Sequence, residues 1–424
     1  MSIFYPRIKS ASERESAVPG LITNASRDDG NYDVVLAEVL ATQVESTMKS
    51  HRARFSAPLP TLGLLAGHYP DHEYNACKTP HYVSWPYPSF VPTTNISIRP
   101  TKSKSTMKVL ITGAGGFVGQ ILAQKLISTS TATSLILADV KAPPNPTPSN
   151  DVQCVGADLT DPQAAEDLIA QGPDAVYILH GIMSSGSEAN LELGLKVNFD
   201  SVRQLLDIIR AKRPGIKVVF TSSCAVFGRK AVENTATETD IVPMPESSYG
   251  TQKLMIEFLV NDYSRRGLID GRIVRLPTVF VRAGAPTAAA SSFVSGIVRE
   301  PVHGVESELP VDPSIGIWLT SPRTLATNLV HAIKAPAEKF GSFRQVLLPG
   351  YTATSGQILE ALEKVCGKDT RNLVKEKRDE TIQRIVLSWP AGYDTTRAKD
   401  LGFEEDVGLE QTIRDFVEGE KKSS

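Results

Sequence analysis

Beyond Met107 the chain alternates between short, nearly unbroken apolar runs and longer stretches whose apolar residues recur every three to four positions. KVLITG reads as a buried strand ending on glycine, and FVGQILAQKLIST as an amphipathic helix behind it. SLILAD and VQCVGAD are two more strands, and DPQAAEDLIAQ starts a helix after the Asp161–Pro162 cap. DAVYILHG, IKVVFTSS and GRIVRLPTV follow as strands, separated by helices over LGLKVNFDSVRQLLDIIRAK and YGTQKLMIEFLVNDYSRRG. Such alternation predicts parallel strands joined by helical crossovers, hence an α/β fold with a doubly wound parallel sheet over residues 107–282. After residue 282 the alternation fades into loops mixed with helices. That predicts that residues 283–424 are mainly a smaller substrate-binding lobe, built on the C-terminal edges of the sheet and ending in a helix.

Residues 1–106 carry neither period for long. Prolines crowd between Pro58 and Pro100, and the segment ends in the polar run RPTKSKST. One stretch, residues 33–51, has helical spacing. Without a convincing core, the region is expected to be a largely disordered extension. His68, His72, Cys77 and His81 are zinc-binding residue types, but their spacing matches no familiar finger, so no metal is expected there.

Composition narrows the class. A hydrophobic fraction of 41% and a charged fraction of 22% are those of a soluble globular protein. A formal net charge of -2 gives no electrostatic reason for a nucleic-acid or anionic-membrane partner. No apolar run is long enough for a bilayer, and MSIFYPRIKS lacks a signal-peptide core. Four scattered cysteines suit a reducing compartment, so the expected location is cytoplasmic, with the sequons at Asn24 and Asn95 idle.

The first strand–helix junction carries the first candidate chemistry. Gly113, Gly116 and Gly119 permit a tight turn, close approach of backbone to phosphate, and packing of helix on strand; Phe117 and Val118 lie within the same loop. A pyrophosphate would sit on the helix N-terminus, where free N–H groups and the helix dipole favour negative charge. The spacing is GxxGxxG rather than GxGxxG, and an unliganded strand–helix turn has the same glycines. Asp139 strengthens the case. It ends the second strand twenty residues after Gly119, where a carboxylate accepts from ribose hydroxyls and repels a 2′-phosphate. The cofactor is therefore expected to be NAD, on a Rossmann-type sheet, although Lys141 nearby softens the preference over NADP. Asp158 and Leu159, at the end of the third strand, are placed to flank the adenine; for Asp158, a capping role beside Asp161 is an equal alternative.

The second chemistry is proton transfer. Tyr249 and Lys253 are four apart on one helix face, which sets a phenol beside an ammonium. A free phenol ionises at about 10, and a neighbouring cation favours the phenolate, so Tyr249 is expected to move toward neutrality and act as general base. Lys253 can also reach the nicotinamide ribose. Ser223, in FTSSCAVFG at a strand end, can hold the reacting oxygen; its neighbour Ser222 is easily confused with it. Each feature alone has a bland reading, a surface pair or a strand-end serine bonded to local backbone. Their joint occurrence after a dinucleotide loop is the signal.

These residues resemble the extended short-chain dehydrogenase/reductases. TGAGGFVG looks like the family's glycine loop, TSSCAVFG like its serine motif with Ser223 at the catalytic place, and SSYGTQK like its YxxxK. The resemblance implies that Asn198 in VNFDSVRQLL shapes the active-site end, that Thr278 and Val279 border the nicotinamide, and that the protein is a homodimer. NDYSRRGLIDGRIVRLPTVFVRAG, AASSFVSGIVREP, LPVDPSIGIWLTSPR and RIVLSWPAGYDTTRAKDLGF resemble a branch that oxidises a four-carbon sugar acid at C2 with NAD. The resemblance starts at Met107 and does not reach into residues 1–106.

Ser223 is followed by Cys224 and Ala225 rather than the acidic pair of the family's dehydratases, which argues against dehydration. The triad does not separate a dehydrogenase from an epimerase or reductase of nucleotide-diphosphate sugars. A non-enzymatic NAD-binding regulator would have no need of it. A sugar acid needs a cation for its carboxylate, and arginine's planar fork suits one. Arg282 is the first candidate, then Arg299 and Arg323. Ser184 and Ser185 in HGIMSSGSE run past the site and can bond substrate hydroxyls or simply make a turn. His180, at a strand end, is expected to be structural.

Overall fold

The computed structural model describes residues 107–147, 150–228, 241–286 and 289–423. The expected disordered extension, the helix over 33–51, the zinc-type cluster and the two sequons lie outside the described residues.

Strands β1 (Lys108–Thr112), β2 (Ser134–Asp139), β3 (Val152–Gly156), β4 (Ala175–Ile178), β5 (Lys217–Ser223) and β6 (Asp270–Leu276) fall where the apolar runs predict them. The shorter strands are β7 (Thr278–Val279), β8 (Ser307–Leu309), β9 (Gly316–Thr320), β10 (Gln345–Leu347), β11 (Tyr351–Thr354) and β12 (Val374–Glu376). Seven strands form one parallel sheet in the order β10-β6-β5-β4-β1-β2-β3. The winding reverses between β1 and β4, and such a switch point opens a crevice at the carboxyl ends of the strands.

The near-continuous apolar strands follow from burial on both faces. Val109 and Ile111 of β1 enter the core beneath helices Phe117–Ser128 and Pro322–Lys334, while Leu110 between them faces the opposite core. That second core is closed by helices Pro162–Ala170, Ser201–Lys212 and Ser248–Arg265. Asp161 caps its helix by accepting from the N–H of Gln163, as the Asp–Pro pair predicts.

The chain beyond residue 282 does not remain in one lobe. Helix Pro322–Lys334 packs on the large sheet and β10 extends its edge next to β6, so that segment belongs to the sheet and not to the smaller lobe. A three-residue edge strand is too short to show a period, which is why the pattern fades there. The rest gathers around β7, β9 and β11, the β8–β12 pair, and helices Ser292–Val302, Ser355–Cys366 and Leu409–Ser423, with a core of their own. Among the described residues no helix is long and apolar enough to cross a membrane.

Candidate active site

A cavity of ≈ 1320 Å³ runs along the switch point, from the glycine loop to the smaller lobe. Gly113, Gly116, Phe117, Val118, Gly119, Asp139, Asp158 and Leu159 all line it. Gly113 has φ 71°, and a Cβ there would meet the backbone N of His180 at 2.5 Å. At Gly119 a Cβ would stand 2.6 Å from Cα of Ala114, the close helix–strand packing expected. At Gly116 it would meet only the carbonyl of Gly113 at 3.4 Å, so the outer side of the loop is open to the cavity. Gly116 is also the N-cap, without a side-chain cap, so the first N–H groups of helix Phe117–Ser128 keep their capacity to donate. Asp139 is half-buried and accepts from the N–H of Gly115 at 2.9 Å and of Val140 at 2.8 Å, which fixes its carboxylate at the cavity wall. These groups fit a dinucleotide: an open anion-binding turn and an anchored acid one strand away. Asp158 is exposed and bonds the N–H of Thr160, which with the Thr160 hydroxyl holds its carboxyl below the usual range; the local-loop role is thus satisfied.

At the other end of the crevice, β5 lies alongside helix Ser248–Arg265. Three consecutive strand residues face three helix residues spaced one turn apart, Tyr249, Lys253 and Glu257. Ser223 lies near enough to the Tyr249 phenol to favour its ionised form. Lys253 Nζ donates to the carbonyl of Thr221 at 2.9 Å. Ser222 Oγ donates to Glu257 Oε1 at 2.5 Å. The two serines differ in setting: Ser222 is buried with its hydroxyl committed to Glu257, whereas Ser223 is half-buried, accepts from the N–H of Ala225 at 3.1 Å and lines the cavity with Tyr249.

The expected lowering of Tyr249 toward neutrality does not occur. Burial pushes its phenol up to about 12, against a lesser downward pull from Ser223. Lys253 is itself 4% exposed and is pushed down to about 8 by burial, with Glu257 opposing. Its ammonium sits 4.8 Å from the Phe220 ring centroid and 5.6 Å from that of Tyr249, turned toward a backbone carbonyl. In so dry a site, the loss of solvent outweighs the neighbouring cation.

His180 is structural. Its Nδ1 lies 2.7 Å from Thr112 Oγ1 and its Nε2 3.1 Å from Ser201 Oγ. Burial, with the charge of Lys253, pushes it down to about 3, so it is neutral. Asn198 sits in a π-helical turn, Leu195–Asp200, that interrupts the predicted helix. Its side chain is buried and bonds both backbone groups of Ile182, Ser187 Oγ and Gln252 Oε1, which ties the segment past the site to the helix of Tyr249. Ser184 and Ser185 open a short helix, Ser184–Ala189, that lines the cavity. Thr278 lines it as well.

Of the three arginines, Arg299 is buried and bonds Glu300 and the carbonyl of Arg282. Arg323 has a side chain 66% exposed, lies 3.8 Å from Asp415 and is outside the cavity wall. Arg282 lines the cavity half-buried, and no described residue accepts from its guanidinium. Burial and Arg299 lower its pKa from the usual value. Trp318, Tyr393, Arg384 and Trp389 of the later chain also line the cavity. Trp389 and Tyr393 belong to the aromatic SWPAGY cluster, the one local signal in the sequence that points to this wall. Among the described residues no group of His, Cys, Asp and Glu could hold a metal ion.

The description "NAD dependent epimerase/dehydratase family" matches residues 109–312. D-erythronate dehydrogenase of Haemophilus influenzae is 41% identical over 314 residues, covering 74% of this chain and 99% of that protein. The chain belongs to the NAD dependent epimerase/dehydratase family. D-erythronate dehydrogenase of Cupriavidus necator is 40% identical over 321 residues, with 74% and 98% covered. The crystal structure of a nucleoside-diphosphate-sugar epimerase from Agrobacterium tumefaciens superposes with a TM-score of 0.71 at 38% identity, covering 75% of this chain and 96% of that one. As a member of the family the protein is an NAD-dependent oxidoreductase, and the glycine loop with Asp139 is the feature of the cavity that suits its cofactor.

Proposed function

We propose that the protein oxidises the C2 hydroxyl of a small sugar acid, such as D-erythronate, to the 2-oxo acid. The observation that carries this reading is the pairing, in one cavity, of a Ser223–Tyr249–Lys253 cluster with the guanidinium of Arg282, from which no described residue accepts. The names of two relatives, each matched over nearly its whole length, support the same substrate class. Bound NAD supplies the acceptor for the C2 hydride. Ser223 holds the hydroxyl oxygen. Tyr249, as phenolate, takes the hydroxyl proton while the C2–H bond breaks and the carbonyl forms. Lys253 stabilises the phenolate and reaches the nicotinamide ribose. Gly113, Gly116, Phe117, Val118 and Gly119 hold the pyrophosphate, and Asp139 the adenosine ribose. Leu159 and Asp158 flank the adenine, and Thr278 borders the nicotinamide. Arg282 takes the substrate carboxylate bidentately, with Ser184 and Ser185 on its hydroxyls. We also read the protein as a homodimer.

Tyr249→Phe removes the base and keeps the ring. Turnover is expected to fall by about 10²- to 10⁴-fold, with NAD affinity retained in a fluorescence titration. Undiminished turnover would remove Tyr249 from the mechanism.

A further inference from the structure

Behind the cluster lies a charged pair that the chemistry does not touch. Glu257 is fully buried, one turn beyond Lys253 and two beyond Tyr249 on the same helix. Arg275 of β6, also buried, holds it bidentately, with Nε 2.9 Å from Oε1 and Nη2 2.6 Å from Oε2. The same Oε1 takes the Ser222 hydroxyl, next in sequence to Ser223. A single carboxylate thus joins the helix of Tyr249 and Lys253 to the strand of Ser223. Removing two charges from water costs several kcal/mol each, and an apolar pair of similar volume would serve stability as well.

We propose that Glu257 is a positioning residue for this active site: one helix turn from Lys253, it sets the charge that Lys253 faces and, through Ser222, holds Ser223 in register with Tyr249. The inference rests on the Ser–Tyr–Lys reading above. The ionisable groups facing Lys253 are Tyr249 and Glu257 on its own helix, His180 from the end of β4, and Arg275 through Glu257. His180 is neutral, so Glu257 supplies the negative charge of the set, and it opposes the burial that draws the proton off Lys253.

The test compares full-length wild type, Glu257→Gln, the charge-free pair Glu257→Gln/Arg275→Gln, and Ser222→Ala. Folding is checked by NAD titration, and kcat is measured against pH. Activity requires phenolate and ammonium together. As pH rises the phenolate fraction grows, until loss of the Lys253 charge cancels the gain and the profile levels off. Without Glu257 the levelling point should move down by about one pH unit, and the plateau of kcat should fall about tenfold with it, at unchanged KM for NAD. A variant that binds NAD normally but keeps the wild-type levelling point and kcat overturns the proposal. If neither Glu257 variant folds, Ser222→Ala decides: kcat lower by about threefold or more supports it, and wild-type kcat overturns it. Tyr249→Phe is run alongside. If that variant keeps turnover, the Ser–Tyr–Lys reading fails; if it is dead and the Glu257 profile is unmoved, only the present inference fails.

Discussion

Tyr249 and Lys253 are drawn apart from the states that oxidation needs. Burial favours the neutral phenol, at about 12, and the neutral amine, at about 8. The sign of the pH dependence follows. Below pH 8 Lys253 keeps its proton, and each unit of pH raises the phenolate fraction about tenfold. Above pH 8 the ammonium fraction falls by the same factor. Oxidation should therefore rise steeply from neutral pH and level off near pH 8, as read from initial rates of NADH formation at saturating substrate. A rate that falls from pH 6 to 8 would contradict this assignment. The YxxxK spacing made the pair legible in the sequence, but not its energetics. Depth of burial depends on Phe220 and on strands far away in the chain, and four-residue spacing carries no information about them.

Among the elements, the phosphate turn was the most legible. Strand, glycines and helix are contiguous, so a local pattern specified a local structure. Two of its glycines make opposite predictions. Gly113→Ala puts a methyl at φ 71° and 2.5 Å from a backbone nitrogen, and should cost about 1–3 kcal/mol of stability in a denaturant titration. Gly116→Ala, at φ -72° and with 3.4 Å of clearance, should fold like wild type and bind NAD more weakly, because the methyl enters the open face. Equal stability of the two variants would remove the structural distinction between them. The helix carrying Asn198 was less legible. Its apolar period runs on through Leu195–Asp200, yet the backbone widens to a π turn that turns Asn198 toward Ile182, Ser187 and Gln252. Those partners lie outside its own helix, so their pull leaves no mark on the pattern.

For the whole molecule, the central sheet was legible because its inner strands β1, β2, β4 and β5 are apolar runs buried on both faces. The return of the chain to β10 was not, since three edge residues and one helix gain their place when Val346 and Leu329 join Tyr177 in the core rather than from period. The C-terminal wall of the cavity was equally hidden. Tyr393 meets Trp318 and Phe227 across more than 70 residues of sequence in each case, and such contacts cannot be read from spacing. That wall bears on substrate choice, where the family offers both net oxidation and redox-neutral epimerisation. The most direct test is NADH formation when the enzyme is mixed with NAD and D-erythronate, alongside a UDP-sugar control. Oxidation at C2 gives net NADH matched by 2-oxo acid from the sugar acid, and none from the control. No NADH from D-erythronate or any other small aldonic acid, with an epimer formed from the UDP-sugar, would contradict it.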